Sequence, residues 1–125
     1  MTKRPTTKRQ LGDAGEELAV RALQARGLII VARNYRCTAG EMDVIARDGD
    51  ALVFVEVKTR RGDQFGTAAE AVNARKQQKL IDVAETYLQA KQLDDVDWRI
   101  DVVAVEMDAR GKLLRVEVIE NAVMR

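Results

Sequence analysis

Apolar and polar positions along this chain change period several times, and each change marks an element. Leu11, Leu18, Ala22 and Ala25 recur at helical spacing, and Gly27 follows as a C-terminal stop, so a first helix is expected over residues 13–26. Residues 28–32 are short and β-branched and read as a strand. Residues 42–47 and 51–59 read as two further strands joined at Asp48-Gly49, a strong hairpin signal. Thr67 and Glu70 have capping-box spacing and open a second helix expected to reach residue 90. Its apolar stripe is Val72, Leu80, Val83, Ala84, Tyr87 and Leu88. Residues 99–106 and 112–119 are two more strands, with Gly111 in the turn between them.

The order is therefore helix, three strands, helix, two strands (αβββαββ). Val53-Phe54-Val55 and Val102-Val103-Ala104-Val105 are apolar on both strand faces, as in strands covered on both sides. An α/β sandwich with helices on both faces of a central mixed sheet is expected. The 125 residues fit one domain, over residues 11–125. Residues 1–10, which carry Lys3, Arg4, Lys8, Arg9 and the sole proline, Pro5, are expected to form a mobile basic tail.

The hairpin pattern has chemical consequences. With Asp48 and Gly49 as the two turn residues, Val44 pairs with Val53, Asp43 with Phe54 and Glu41 with Glu56. One face then carries Met42, Val44, Ala46, Ala51, Val53, Val55 and Val57, all apolar, and packs against a helix. The other carries Glu41, Asp43, Ile45, Leu52, Phe54, Glu56 and Lys58, with its charge gathered at the end away from the turn. Asp43 and Glu56 become diagonal neighbours, roughly 7–8 Å apart at the backbone, with Lys58 two residues further along the same face. A one-residue change in the loop would scatter this set.

Composition narrows what such a set can do. The chain has no histidine, which excludes a histidine base, a His-based zinc site and a Ser-His-Asp triad. Its one cysteine, Cys37, excludes an internal disulfide and suits a reducing compartment. Two carboxylates and an ammonium remain. Such a pair of carboxylates can share Mg²⁺ or Mn²⁺, the cation can activate water and offset phosphoryl charge, and Lys58 can position or deprotonate the attacking water. The reaction class is phosphodiester hydrolysis. Glu-x-Lys pairs also solubilise ordinary surface strands, but Val53, Phe54, Val55 and Val57 flank this one.

No apolar run approaches the roughly 20 residues that span a bilayer, and no apolar stretch follows the basic N-terminus, so a soluble cytoplasmic protein is expected. Net charge is only +1, too little to hold nucleic acid by charge alone. Local clusters at Lys58, Arg60 and Arg61, and at Arg75, Lys76 and Lys79, leave room for a basic face. Lys76, Gln77, Arg60 and Lys79 are the candidate nucleic-acid contacts. Lys76 stands on the apolar stripe of the second helix, where it either snorkels along the core or points toward the site. Arg99 and Asp101, two apart on a strand, read as an ion pair or a solvent-facing pair. Trp98 and Tyr35 suit packing more than base stacking.

Several blocks together resemble one family. They are Gly15-Glu16, Asn34, Gly40-Glu41-Met42-Asp43-Val44-Ile45-Ala46, Val53-Phe54-Val55-Glu56-Val57-Lys58-Thr59-Arg60, Lys76-Gln77 and Arg99-Ile100-Asp101-Val102-Val103. In this order, over nearly the whole chain, they are similar to the YraN family. That family is uncharacterised and is regarded as part of the PD-(D/E)xK nuclease superfamily, similar in pattern to archaeal Holliday-junction resolvases. The resemblance implies a restriction-endonuclease-like three-layer sandwich. It also implies that Asp43 is the motif aspartate, Glu56 and Lys58 the Glu-x-Lys pair, and Glu16 the first-helix glutamate in or beside the metal site. Met42, where the superfamily name has proline, is a departure at a variable position. Glu16 also lies three residues after Asp13, a capping-box variant, and both roles can hold at once. Glu41 reads as a further ligand or a strand-end charge.

The expected function is a metal-dependent endonuclease acting on DNA, with branched or damaged structures as candidate substrates. The alternatives are a nucleic-acid-binding or partner-dependent protein without activity of its own, and an interaction module. A homodimer, which the resolvase likeness implies, and a protein partner both remain open.

Overall fold

The computed structural model describes residues 8–62 and 73–123. Seven elements follow in the order α1 (Lys8–Ala25), β1 (Ile29–Cys37), β2 (Gly40–Asp48), β3 (Ala51–Arg61), α2 (Ala74–Ala90), β4 (Trp98–Met107) and β5 (Leu113–Ile119). The strands form a single sheet in the order β1-β2-β3-β4-β5. β3 and β4 run parallel and the other neighbours antiparallel. The protein is an α/β three-layer sandwich with the element order read from the sequence.

Each sheet face has its own core. Ala19, Val20 and Leu23 of α1 pack on Val44, Ala46, Val53, Val55, Val103 and Val105. Leu80, Val83, Ala84, Tyr87 and Leu88 of α2 pack on Met42, Ile45, Leu52, Phe54, Ile100 and Val102. Covering both faces explains why the runs Leu52–Val55 of β3 and Val102–Val105 of β4 are apolar on both faces.

Both helices end in the same device. In α1, Gly27 N–H donates to Gln24 O and Leu28 N–H to Leu23 O, with Gly27 at φ 90°, the Schellman arrangement. In α2, Gln92 takes the left-handed position at φ 55° and Leu93 N–H closes on Leu88 O. α1 opens at Lys8, so residues 8–10, expected in the tail, belong to the helix. The Thr67–Glu70 box and Val72 lie outside the described residues. α2 itself is capped by Asn73, whose side chain accepts from Lys76 N–H.

Two details of β1 and β2 differ from the sequence reading. Asp48 pairs with Ala51 and Val44 with Val55, so the turn residues are Gly49 and Asp50 rather than Asp48 and Gly49. Gly49 alone takes the left-handed conformation, at φ 61°. A turn with glycine first requires nothing unusual of its neighbours, whereas an Asp-Gly turn would also force Asp48 left-handed. The register moves by two residues, so the faces are preserved over the paired part of the hairpin, Val44 to Val55, and the pairing partners change.

β1 is also much longer than residues 28–32. It carries a bulge between Ile30 and Ala32 and, at Asn34, a left-handed residue with φ 54°. Together these interrupt the alternation that would have announced a strand. Arg33, paired with Val44, lies on the α1 side, while Tyr35, paired with Met42, packs in the α2-side core. The expectation that Met42 shares a face with Val44 is thereby corrected: the sheet turns over at Asn34 and Asp43.

Candidate active site

The site lies where the sheet forks. β2 and β3 pair only from Val44–Val55 toward the turn. Beyond that, Glu41 and Met42 stay with β1, while Glu56 through Arg61 stay with β4. Asp43 and Glu56 are the first residues beyond the last β2–β3 pair, Val44–Val55, one on each side of the fork, and close enough for the Glu56 charge to act on Asp43. The Asp43–Phe54 and Glu41–Glu56 pairings expected from the sequence are not formed, because β2 and β3 have separated there. Asp43 Oδ2 reaches over the fork and accepts the backbone N–H of Val57 at 2.7 Å.

Glu56 is buried, beside Val102 of β4, and Lys58 is half-buried beside Ala104. Those apolar neighbours make Glu56 and Lys58 charged groups at the margin of a core. Glu16 is buried on α1, and its Oε1 accepts from Arg33 Nε at 3.2 Å and from Asn34 Nδ2 at 3.1 Å. Arg33 also reaches Glu17 at 3.0 Å. Gly15 allows this approach: a Cβ there would overlap the Thr59 side chain of β3.

Electrostatics single out Asp43. Burial pushes its carboxyl up to about 7, and the charges of Glu56, Glu16 and Glu41 add to the effect against the lowering by the Val57 N–H. The flanking carboxylates hold cations on their outer sides. Lys76 Nζ lies 3.4 Å from Glu56 Oε1, and Arg33 holds Glu16. Asp43, between them, has a backbone N–H.

The donor set suits a hard cation. Asp43, Glu56 and Glu16 offer only oxygen, and Mg²⁺ is commonly held by one or two carboxylates with the rest of its shell from water and phosphate. Among the described residues no three His, Cys, Asp or Glu side chains are already arranged as a metal cage. Glu16 is engaged by Arg33 and Asn34.

The remaining sequence candidates fall in different places. Lys76 points to the site. Gln77 is half-buried on α2, Arg60 is half-buried on β3, and Lys79 is exposed. Arg61 is anchored through Nε and Nη2 to Ala109 O, away from the site. Glu41 pairs with Arg36 at 3.7 Å. Tyr35 and Trp98 are structural: Tyr35 meets Tyr87, Tyr87 meets Phe54 and Phe54 meets Trp98 in successive edge-to-face contacts. Arg99 and the fully buried Asp101 form an ion pair at 3.1 Å.

The sequence reasoning missed the role of Arg33 and gave Asn34 no geometry. Arg-Asn following an apolar β-branched run was the available signal. No helix among the described residues is long and apolar enough to cross a membrane.

A family model described as "Uncharacterised protein family UPF0102" matches residues 15–105, a span that contains every site residue named above. A UPF0102 protein of Caldicellulosiruptor saccharolyticus is 45% identical over 115 residues, covering 92% of this chain and 98% of the relative. A UPF0102 protein of Symbiobacterium thermophilum is 49% identical over 114 residues, covering 91% of this chain and 96% of the relative. Among solved structures, Pyrococcus furiosus SfsA in complex with Ca²⁺ superposes with a TM-score of 0.38 and 14% identity, covering 94% of this chain and 65% of that one.

Proposed function

This chain belongs to the uncharacterised protein family UPF0102, the YraN family, and we propose that it is a metal-dependent nuclease hydrolysing phosphodiester bonds in DNA. The observation that carries the reading is the fork itself. The Asp43 carboxylate accepts the Val57 N–H, next in sequence to Glu56 and one residue before Lys58. Asp43 and Glu56 would hold Mg²⁺ or Mn²⁺, with Glu16 in reach as a third or supporting oxygen donor. A cation bound there supplies water activation at neutral pH and offsets phosphoryl charge. Lys58 supplies a proton-bearing cation for the attacking water or for charge developing on the phosphate. The Val57 N–H fixes the Asp43 carboxylate, so it need not be reoriented during the reaction. Gln77, Arg60 and Lys79 are the candidate contacts to the flanking backbone, where charge rather than base identity is read.

Branched or damaged DNA is the candidate substrate class that the resemblance to Holliday-junction resolvases suggests. A second reading, a binding protein that needs a partner for activity, draws support from the cations already committed internally: Lys76 to Glu56, Arg33 to Glu16 and Arg61 to Ala109. Fewer are left to grip a duplex unaided.

The test is incubation of folded protein with Mg²⁺ or Mn²⁺ and labelled single-stranded, duplex, flap and four-way-junction DNAs, beside Lys58→Ala. Metal-dependent cleavage that disappears in the variant is expected. Cleavage that persists in Lys58→Ala removes Lys58 from the mechanism. Absence of cleavage on every structure, together with salt-sensitive retention of DNA, shifts the function to binding.

A further inference from the structure

Lys76 of α2 meets a carboxylate of the site, Glu56. The helix is fixed at its start by the Asn73 cap, which takes the Lys76 N–H itself, and one turn later by the buried Leu80 and Val83. From that start the Lys76 side chain reaches β3. Its ammonium ends 3.4 Å from Glu56 Oε1, while Glu56 is buried and the Lys76 side chain is 42% exposed. A buried carboxylate is thus served by a cation that remains reachable from water. Arg33 serves Glu16 in a similar way, but with a second bond to Glu17 and with Asn34 beside it. Lys76 has no such second tether among the hydrogen bonds and ion pairs described, and lysine's flexible stem lets its ammonium move without moving the helix.

We propose that Lys76 is a positioning residue whose ammonium competes with a divalent cation for Glu56, leaving the carboxylate when the cation binds and becoming available to the substrate phosphate. The inference rests on the metal-site reading above, and it adds a step to that reading: a lysine-for-metal exchange on one carboxylate. Two cations cannot sit against the same Glu56 oxygen without repulsion, so the ammonium lowers metal affinity until it withdraws. The withdrawn ammonium stays on a short tether at the margin of the site, where a phosphate offers it a new anion.

The experiment is Mn²⁺ titration by calorimetry on the full chain without DNA, comparing wild type, Lys76→Met, Lys76→Arg and Arg75→Gln. Met keeps the apolar stem and removes the charge. Arg keeps the charge. Arg75, exposed on the same turn, reports the effect of lowering overall charge. Lys76→Met should bind Mn²⁺ about tenfold more tightly, the effect of removing one positive charge near a divalent ion through water-like screening. Lys76→Arg should stay near wild type, and Arg75→Gln should move little. A parallel NMR titration with Mg²⁺ should shift the Lys76 side-chain amine resonance in wild type. Unchanged affinity in Lys76→Met with Mn²⁺ bound by wild type overturns the exchange and leaves the metal site standing. Equal tightening in Arg75→Gln overturns it too, because bulk charge then explains the effect. Absence of Mn²⁺ binding in wild type and variants alike overturns both the exchange and the metal-site reading.

Discussion

Asp43 Oδ2 accepts the Val57 N–H at 2.7 Å, where β2 and β3 stop pairing with each other. The bond takes the place of a ladder hydrogen bond. It lets the strands separate without leaving that amide unsatisfied, and it holds a carboxylate in the gap. Structure and chemistry therefore meet in one side chain, and the first two predictions concern it and its neighbour across β1.

The Asp43 carboxyl, ordinarily near 3.8, is pushed up to about 7 in the folded protein. Between those values the folded state binds more protons than the unfolded chain. The stabilising contribution is therefore fully present below pH 3.8 and is lost as pH rises through 7. Asp43→Asn keeps an oxygen for the Val57 N–H and removes the charge. In urea unfolding without divalent cations, the variant should exceed wild type by about 2–4 kcal/mol at pH 8, and the gap should close toward pH 4. Added Mn²⁺ should raise the Tm of wild type more than that of the variant. A variant no more stable than wild type at pH 8 would remove the electrostatic reading of this site.

Asn34 holds φ 54° in the middle of a strand and donates to Glu16. Alanine loses the donor and is strained in that conformation by about 1–2 kcal/mol, whereas glycine loses the donor and is not. Asn34→Ala should therefore unfold at lower urea than Asn34→Gly. Equal stability of the two would show that β1 straightens without penalty, and that the twist does not depend on this residue.

Gly15→Ala should destabilise the protein despite the better helix propensity of alanine. The gain is about 1 kcal/mol in a helix interior, but the new Cβ would overlap the Thr59 side chain, and overpacking of this kind costs about 1–3 kcal/mol. Thr59→Ala in the same background should recover part of the loss. A Tm for Gly15→Ala at or above wild type would mean that α1 can lift from β3 freely.

Arg99→Met should cost about 3–5 kcal/mol, since it strands the fully buried Asp101 with the Asn121 N–H as its remaining described donor and breaks the contact to Asp48. Equilibrium denaturation at pH 7 measures it. A loss under about 1 kcal/mol would indicate that water reaches Asp101.

Much of this protein was legible along the chain. The two helical stripes, the apolar runs of β3 and β4 and the stop at Gly27 depend on local periodicity and local backbone preference, which a sequence states directly. The faces of the paired part of the hairpin, Val44 to Val55, were legible too, because a register shift of two residues preserves them; at Asp43 the strand turns over, and its approach to Val57 was not legible. Nor was the length of β1. Its bulge and the left-handed Asn34 break the alternation by which strands are recognised, and both are tolerated only because β2 and α1 hold them in place.

What tertiary structure alone decided is the relation among groups far apart in sequence. Glu16 meets Asn34 because α1 lies on the sheet with no side chain at Gly15. Lys76 meets Glu56 because α2 packs across the opposite face. Val44 pairs with Val55, and not with Val53, because the turn settled on the residues that needed only Gly49 to be left-handed, and Asp43 reaches Val57 because the strands part just beyond that pair. Periodicity fixes which side of an element a residue occupies. The partner it finds there depends on how the layers stack, and the energy of that stacking is spread over contacts that no single stretch of sequence contains.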